Sequence, residues 1–103
     1  MAKYIEIRDV CVQLRLEEGR VRELAGEGLV EIRRPTAGGH EVLSAEDAER
    51  LRVIALLMRD MDVNLAGVEV ILHMREDMLS LRHQFDEVVR SLVAELKKHM
   101  DRD

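Results

Sequence analysis

The residues of this chain that could support catalysis or metal binding do not occur at the spacings that such chemistry requires. The four histidines are His40, His73, His83 and His99. A zinc site on one helix uses two histidines four residues apart, but successive histidines of the last predicted helix are ten and sixteen residues apart. Cys11 has no CxxC partner and falls on an apolar stripe, which predicts a small core side chain. We therefore expect no enzyme, no cofactor and no metal.

Charged residues offer two candidate binding surfaces instead. The helix predicted over roughly residues 17–27 carries four glutamates and two arginines, which leaves a charge of −2. The glutamates are Glu17, Glu18, Glu23 and Glu27. They are candidates for binding a basic partner, or they are ordinary solvated helix charges.

Five basic side chains on this helix and after it could instead contact the phosphates of DNA. These candidates are Arg20, Arg22, Arg33, Arg34 and His40. Duplex DNA presents about one negative charge per ~1.7 Å, so a helix that reads it is normally basic. The neighbouring glutamates cancel much of this local positive field within a Debye length of about 8–10 Å.

Two short helices and a β-wing are predicted to position these side chains. An apolar i, i+3, i+4, i+7 stripe from Ile7 to Leu14 predicts the first helix, and Leu16 lies in the following turn. Val21, Leu24 and Ala25 give the second helix its buried face. That helix is followed by a left-handed Gly28.

The β-wing is predicted from the segment that follows. Residues 30–32 form a strand, residues 33–39 a turn, and Val42-Leu43 the returning strand. The pattern as a whole is typical of a winged helix-turn-helix.

Two further helices complete the chain. Ser44 is the predicted N-cap of the third helix, with Asp47 in the capping-box position. Its predicted apolar face consists of Leu51, Ile54, Ala55, Met58 and Met61. Asn64 is predicted to cap a last helix that extends from Leu65 to about Met100.

The last helix contains a heptad pattern over about three heptads. The apolar residues are spaced alternately by three and four, as in a coiled-coil seam. This candidate dimer interface consists of Ile71, Met74, Met78, Leu81, Phe85, Val88 and Leu92. We expect the seam to pair two copies of the chain, although the helix could instead fold back on its own domain. The spacing does not distinguish parallel from antiparallel pairing.

Composition restricts the function further. Tyr4 and Phe85 are the only aromatic residues, which disfavours an aromatic-walled ligand pocket and base stacking on single strands. The formal net charge of −5 does not favour nucleic acid or an anionic membrane. No signal peptide or membrane span is evident, and the single cysteine excludes an internal disulfide. We expect a soluble, cytoplasmic protein.

The order of these elements resembles the MerR superfamily of regulators. Gly28-Leu29-Val30 is similar to that family's Gly-Leu-Ile turn, and Arg33 to Gly39 to its basic wing. The aromatic signature of the DNA-binding members is missing, because Glu23 and Leu24 follow Arg22 where those members have two tyrosines. In the wing, Glu41 takes the position of an arginine and Leu43 that of a tyrosine.

A narrower resemblance is to the chaperone-modulator family of the CbpM type. The similar segments are Ile7-Arg8-Asp9-Val10-Cys11, Arg22-Glu23-Leu24-Ala25-Gly26-Glu27-Gly28-Leu29-Val30-Glu31 and Gly67-Val68-Glu69-Val70-Ile71-Leu72. That resemblance implies a small dimeric partner of a DnaJ-like co-chaperone, which binds its J-domain and blocks its action on Hsp70.

The sequence as a whole predicts a mostly α protein. Residues 1–62 would form a MerR-like winged helix-turn-helix domain with its following helix, and residues 63–103 a long C-terminal dimerisation helix. The predicted function is that of a non-catalytic modulator of a co-chaperone. The alternative is a DNA-binding transcriptional regulator of the MerR or heat-shock-repressor kind, bound to two half-sites.

Overall fold

The computed structural model describes residues 3–101. Two strands, β1 (Tyr4–Glu6) and β2 (Val42–Ser44), accompany the helices α1 (Ile7–Leu14), α2 (Glu18–Gly26), α3 (Ala45–Ala55) and α4 (Leu65–Asp101), and a π-helical turn spans Leu56–Asp60. The predicted mostly α fold, with a small β-wing and a long last helix, is confirmed. The chain divides between Val68 and Glu69 into two compact units.

Helices α1 and α2 form the predicted helix-turn-helix. Ile7, Val10 and Cys11 of α1 are buried, as the apolar stripe predicts. Arg15 ends α1 in the left-handed conformation, and the Leu16 N–H donates to the Cys11 carbonyl over 3.0 Å. The backbone thereby turns sharply into α2.

Helix α2 ends as the sequence predicts. Val21 and Leu24 are buried beneath it, and Gly28 adopts a φ of +80°. The Leu29 N–H donates to the Leu24 carbonyl over 3.1 Å, so the reversal satisfies one of the last free carbonyls of the helix. A side chain at position 28 would be strained in this conformation.

The wing differs from its prediction. Residues 30–32 do not form a strand, and in this part of the wing Arg33 alone pairs with Val42 through two backbone hydrogen bonds of 2.9 and 2.7 Å. Strand β2 pairs instead with β1, antiparallel, with Ile5 opposite Leu43. The sequence did not predict β1, because three residues are too few to show an alternating pattern before α1 begins.

Strand β2 leads directly into α3. Ser44 is the N-cap, as predicted, and its hydroxyl accepts the Asp47 N–H over 3.0 Å. The Asp47 carboxylate accepts the backbone N–H of Glu31 over 3.0 Å. This capping-box residue therefore connects α3 to the first arm of the wing.

The π-helical turn changes the predicted apolar face of the third helix. Leu51 and Ile54 are buried as expected, but Met61 is 61% exposed and Leu57 is buried instead. A π-turn adds a residue to one helical turn, so side chains beyond it rotate away from the 3.6-residue pattern.

Arg59 of the π-helical turn binds the end of α1. Its guanidinium donates to the backbone carbonyls of Leu14 and Arg15 over 2.8 and 2.5 Å. These two carbonyls lie at the C-terminus of a helix, where the backbone dipole favours a positive charge. Arg59 therefore fixes the helix-turn-helix against the third helix.

Helix α4 begins at the predicted residue. Asn64 is its N-cap, and the Asn64 Oδ1 accepts the Gly67 N–H over 2.8 Å. The helix contains 37 residues, which corresponds to about 55 Å at 1.5 Å per residue.

Replacement of Arg59 by alanine should destabilise the fold more than the same change at Arg52. Arg59 has two long-range hydrogen bonds to backbone carbonyls, whereas Arg52 pairs with Glu49 on the same helix. We expect Arg59→Ala to lower the free energy of unfolding by about 1–3 kcal/mol, and Arg52→Ala to change it little. Urea denaturation of the two variants measures this, and equal losses would contradict the assigned role of Arg59.

Candidate functional site

The four glutamates proposed as a partner-binding surface are all exposed, but they do not form one stripe. Glu17 is the N-cap residue of α2 and Glu18 lies in its first turn, where negative charge is favourable. Glu18 lies near Arg22, at 3.9 Å. Glu23 contacts Arg20 on another side of the helix.

Arg20 is engaged within its own helix. Its Nη1 lies 3.1 Å from Oε2 of Glu23, and its Nη2 contacts the Met58 sulfur at 3.7 Å. Arg20 also lines a groove with apolar side chains of α2 and α3, including Leu24 and Ile54. One of the candidate DNA contacts is therefore paired with one of the candidate acidic contacts.

Arg22 forms the best-defined ion pair of the helix-turn-helix. Its Nη1 and Nη2 donate to the two carboxylate oxygens of Glu41 over 3.1 and 2.6 Å. These hydrogen bonds from Arg22 hold the pKa of the Glu41 carboxyl below its ordinary value. Glu41 precedes β2, so this pair connects the second helix to the wing.

The two wing arginines are also ion-paired. Arg34 Nη2 lies 3.7 Å from Oε1 of Glu41, and Arg33 Nη2 lies 3.0 Å from Oε2 of Glu31. The Arg33 guanidinium is 6.0 Å from the centre of the Tyr4 ring, at the limit of a cation–π contact. All four arginines predicted as DNA contacts therefore have a glutamate partner.

A small polar hollow lies between α2 and the wing. His40, the fifth DNA-contact candidate, lines it together with Glu6, Ile7, Arg8, Glu18, Arg22 and Glu41. Both acidic and basic side chains line this hollow.

Sequence reasoning found the arginines but not their partners. The partner of Arg33 is Glu31, only two residues away, so this pair could have been predicted from the spacing. The partner of Arg22 is nineteen residues away, on the returning arm of the wing. That pairing depends on tertiary structure, and only the replacement of an arginine by Glu41 in the family pattern pointed to this position.

Helix α4 carries an exposed apolar face. Met78 and Phe85 of the predicted seam are 69% and 66% exposed in the single chain, and Ile71 is partly buried. The other exposed residues of the predicted seam are Met74, Leu81, Val88 and Leu92. Further exposed apolar residues of α4 lie outside the predicted seam, namely Val70, Leu79, Val89, Val93, Leu96 and Met100. The exposed apolar surface is therefore broader and longer than the predicted interface.

Residues 3–101 contain no group of three His, Cys, Asp or Glu side chains that could hold a metal ion. Cys11 is buried among the apolar residues of α1, and burial raises the pKa of its thiol, with a smaller contribution from Glu18. This environment matches the predicted core role of the cysteine. Over the same residues, no helix has both the length and the apolar character needed to cross a membrane.

The two-helix unit, its β-wing and the following helices define a winged helix-turn-helix protein. Residues 5–92 match the family of MerR HTH family regulatory proteins. The chain therefore belongs to the MerR family. No curated protein matches it.

The Cys11 thiol should react slowly in the folded protein. Both its burial and its raised pKa reduce the exposed thiolate at neutral pH. We expect alkylation by a maleimide reagent to be roughly 100-fold slower than for the double variant Cys11→Ala with Val12→Cys, whose thiol would replace an exposed side chain. Similar rates for the two folded proteins would contradict a core role, and both thiols should react quickly in denaturant.

Proposed function

We propose that this MerR-family protein is a non-catalytic regulator that binds the J-domain of a DnaJ-like co-chaperone and inhibits its action on Hsp70. One observation carries the proposal: every arginine predicted to contact DNA is ion-paired with a glutamate, while Glu17 and Glu27, at the two ends of α2, are exposed and absent from these pairs. The choice of a J-domain as the partner rests on the similarity of three segments to the chaperone-modulator family.

Electrostatics supports a basic protein partner. The family resemblance implies that J-domains present a basic helix to Hsp70, and an acidic surface could occupy that helix. Complementary charge of this kind steers encounter and selects the partner more than it sets affinity. Glu17, Glu18, Glu23 and Glu27 are the proposed contacts.

The second candidate function is DNA-binding regulation of transcription. Membership of the MerR family favours it, as do the wing side chains of Arg33 and Arg34, which are about half exposed. Exposed ion pairs are weak, so phosphates could compete for these arginines. Both partners therefore belong in the same experiment.

We also propose that a second copy of the chain covers the exposed face of α4. Apolar residues at alternating spacings of three and four form a self-complementary seam, which two identical helices can share. The seven predicted seam residues extend over about three heptads, from Ile71 to Leu92.

Charge reversal on α2 should weaken J-domain binding. We expect the double variant Glu23→Lys with Glu27→Lys to raise the Kd for the host J-domain at least about tenfold at ~0.15 M salt, because attraction to its basic helix becomes repulsion. Calorimetric titration measures this, with duplex promoter DNA titrated in parallel. The variant should also bind DNA more tightly in a sequence-independent manner.

The matched control is Glu76→Lys with Glu87→Lys, which changes the net charge equally on α4. Equal effects of the two double variants on J-domain binding would rule out a specific role for α2. Saturable, sequence-dependent DNA binding by the unmodified chain, without J-domain binding, would favour the second candidate function.

A charge within the seam should separate the dimer. Met78→Lys places an ammonium group within the predicted interface, where desolvation is unfavourable. We expect sedimentation to show the mass of one chain for this variant. Ser80→Lys, on the opposite side of α4, should retain the mass of two chains. An unchanged mass for Met78→Lys would disprove the heptad assignment.

A further inference from the structure

The Glu41 carboxylate lies between arginines from two different elements. Arg22 of α2 donates to both of its oxygens, at 3.1 and 2.6 Å, and Arg34 of the wing lies 3.7 Å from one of them. Two guanidinium groups therefore converge on one oxyanion. The guanidinium fork recognises carboxylate and phosphate by the same planar geometry.

Glu41 is less exposed than the other glutamates that pair with the arginines predicted to contact DNA. Its side chain is 26% exposed, whereas Glu23 and Glu31 are each 69% exposed. Its carbonyl accepts the Ile7 N–H over 3.1 Å, and the next residue begins β2. The Glu41 backbone is therefore held at α1 and at the start of β2, and an external anion at the two guanidinium groups would have to displace the Glu41 carboxylate.

We propose that Arg22 and Arg34 form an anion-binding site for the phosphate backbone of duplex DNA, and that Glu41 closes this site. Glu41 is then the specificity-determining residue that excludes nucleic acid from this winged helix-turn-helix. The inference rests on the proposed function only in that the unmodified chain does not bind DNA; it does not require a J-domain partner.

Ionisation of Glu41 is consistent with a closed site at neutral pH. The hydrogen bonds from Arg22 lower the pKa of the Glu41 carboxyl, so the carboxylate stays charged across the neutral range. Glutamine at this position would keep the shape of the side chain and remove its charge. Aspartate would keep the charge on a side chain shorter by one methylene.

The experiment measures binding of the full chain to a fluorescently labelled duplex by anisotropy, between about 50 and 200 mM salt. We expect Glu41→Gln to bind at least about tenfold more tightly than the unmodified chain at the lower salt. The slope of the logarithm of the binding constant against the logarithm of the salt concentration should be steeper by about 2 for this variant. Each phosphate contact contributes a slope of about 0.9, and two arginines become available. Glu41→Asp should remain a poor DNA binder.

Two controls separate the site from general charge and from unfolding. Glu49→Gln removes the same charge from the ion pair with Arg52 on α3, and it should not increase DNA binding. The double variant Glu41→Gln with Arg22→Gln should lose the gain of the single variant. Circular dichroism melting identifies any variant that has lost its fold, in which case Glu41→Ala replaces Glu41→Gln.

The outcomes separate this inference from the proposed function. DNA binding by folded Glu41→Gln (or its substitute Glu41→Ala) no tighter than that of Glu49→Gln would overturn the inference, as would tight DNA binding by the unmodified chain. If Glu41→Gln binds DNA more tightly and the unmodified chain does not bind the J-domain, the inference stands and only the proposed function is refuted.

Discussion

The ion pair between Arg22 and Glu41 determines how this winged helix-turn-helix presents its charge. It joins the second helix to the wing, the two elements that could together face a DNA duplex, and it uses both oxygens of the carboxylate. Exposed ion pairs contribute little to stability in general. The pair matters because it engages the guanidinium of Arg22. Both terminal nitrogens already donate to Glu41, so fewer donors remain for an external phosphate.

Glu41 is effective because of the four-residue segment to which it belongs. Its carbonyl binds the backbone of Ile7, Val42 exchanges two hydrogen bonds with Arg33, Leu43 is fully buried and Ser44 caps α3. Each residue from 41 to 44 therefore connects a different part of the first unit. The backbone that carries the carboxylate is thus already ordered by contacts of its own, so the pairing with the arginines orders only the Glu41 side chain.

Local patterns predicted much of the fold, and the failures have physical causes. The helices follow from 3.6-residue periodicity, and their ends follow from Ser44, Asn64 and Gly28, whose roles are local. The π-helical turn was not predicted, since it interrupts the periodicity on which the assignment of Met61 to the core depended. The candidate site was predicted as a set of charges but not as a set of pairs. Arg22 and Glu41 are nineteen residues apart and meet only after the wing has folded back, whereas the local pairs Arg20–Glu23 and Arg33–Glu31 could have been predicted from spacing.

The spacing of the apolar residues along α4 determines how far a contact surface can extend along this helix. The predicted heptad seam ends at Leu92, because Glu95 occupies the next position. Apolar residues nevertheless recur every eleven residues in two series. The first series is Met74, Phe85 and Leu96, and the second is Met78, Val89 and Met100. Eleven residues correspond to about 3.67 per turn, close to a straight α-helix, whereas a heptad drifts by about 20° per repeat. A second copy that followed the eleven-residue series would keep contact up to Met100, with a slight right-handed supercoil in place of the left-handed one that the heptad seam requires.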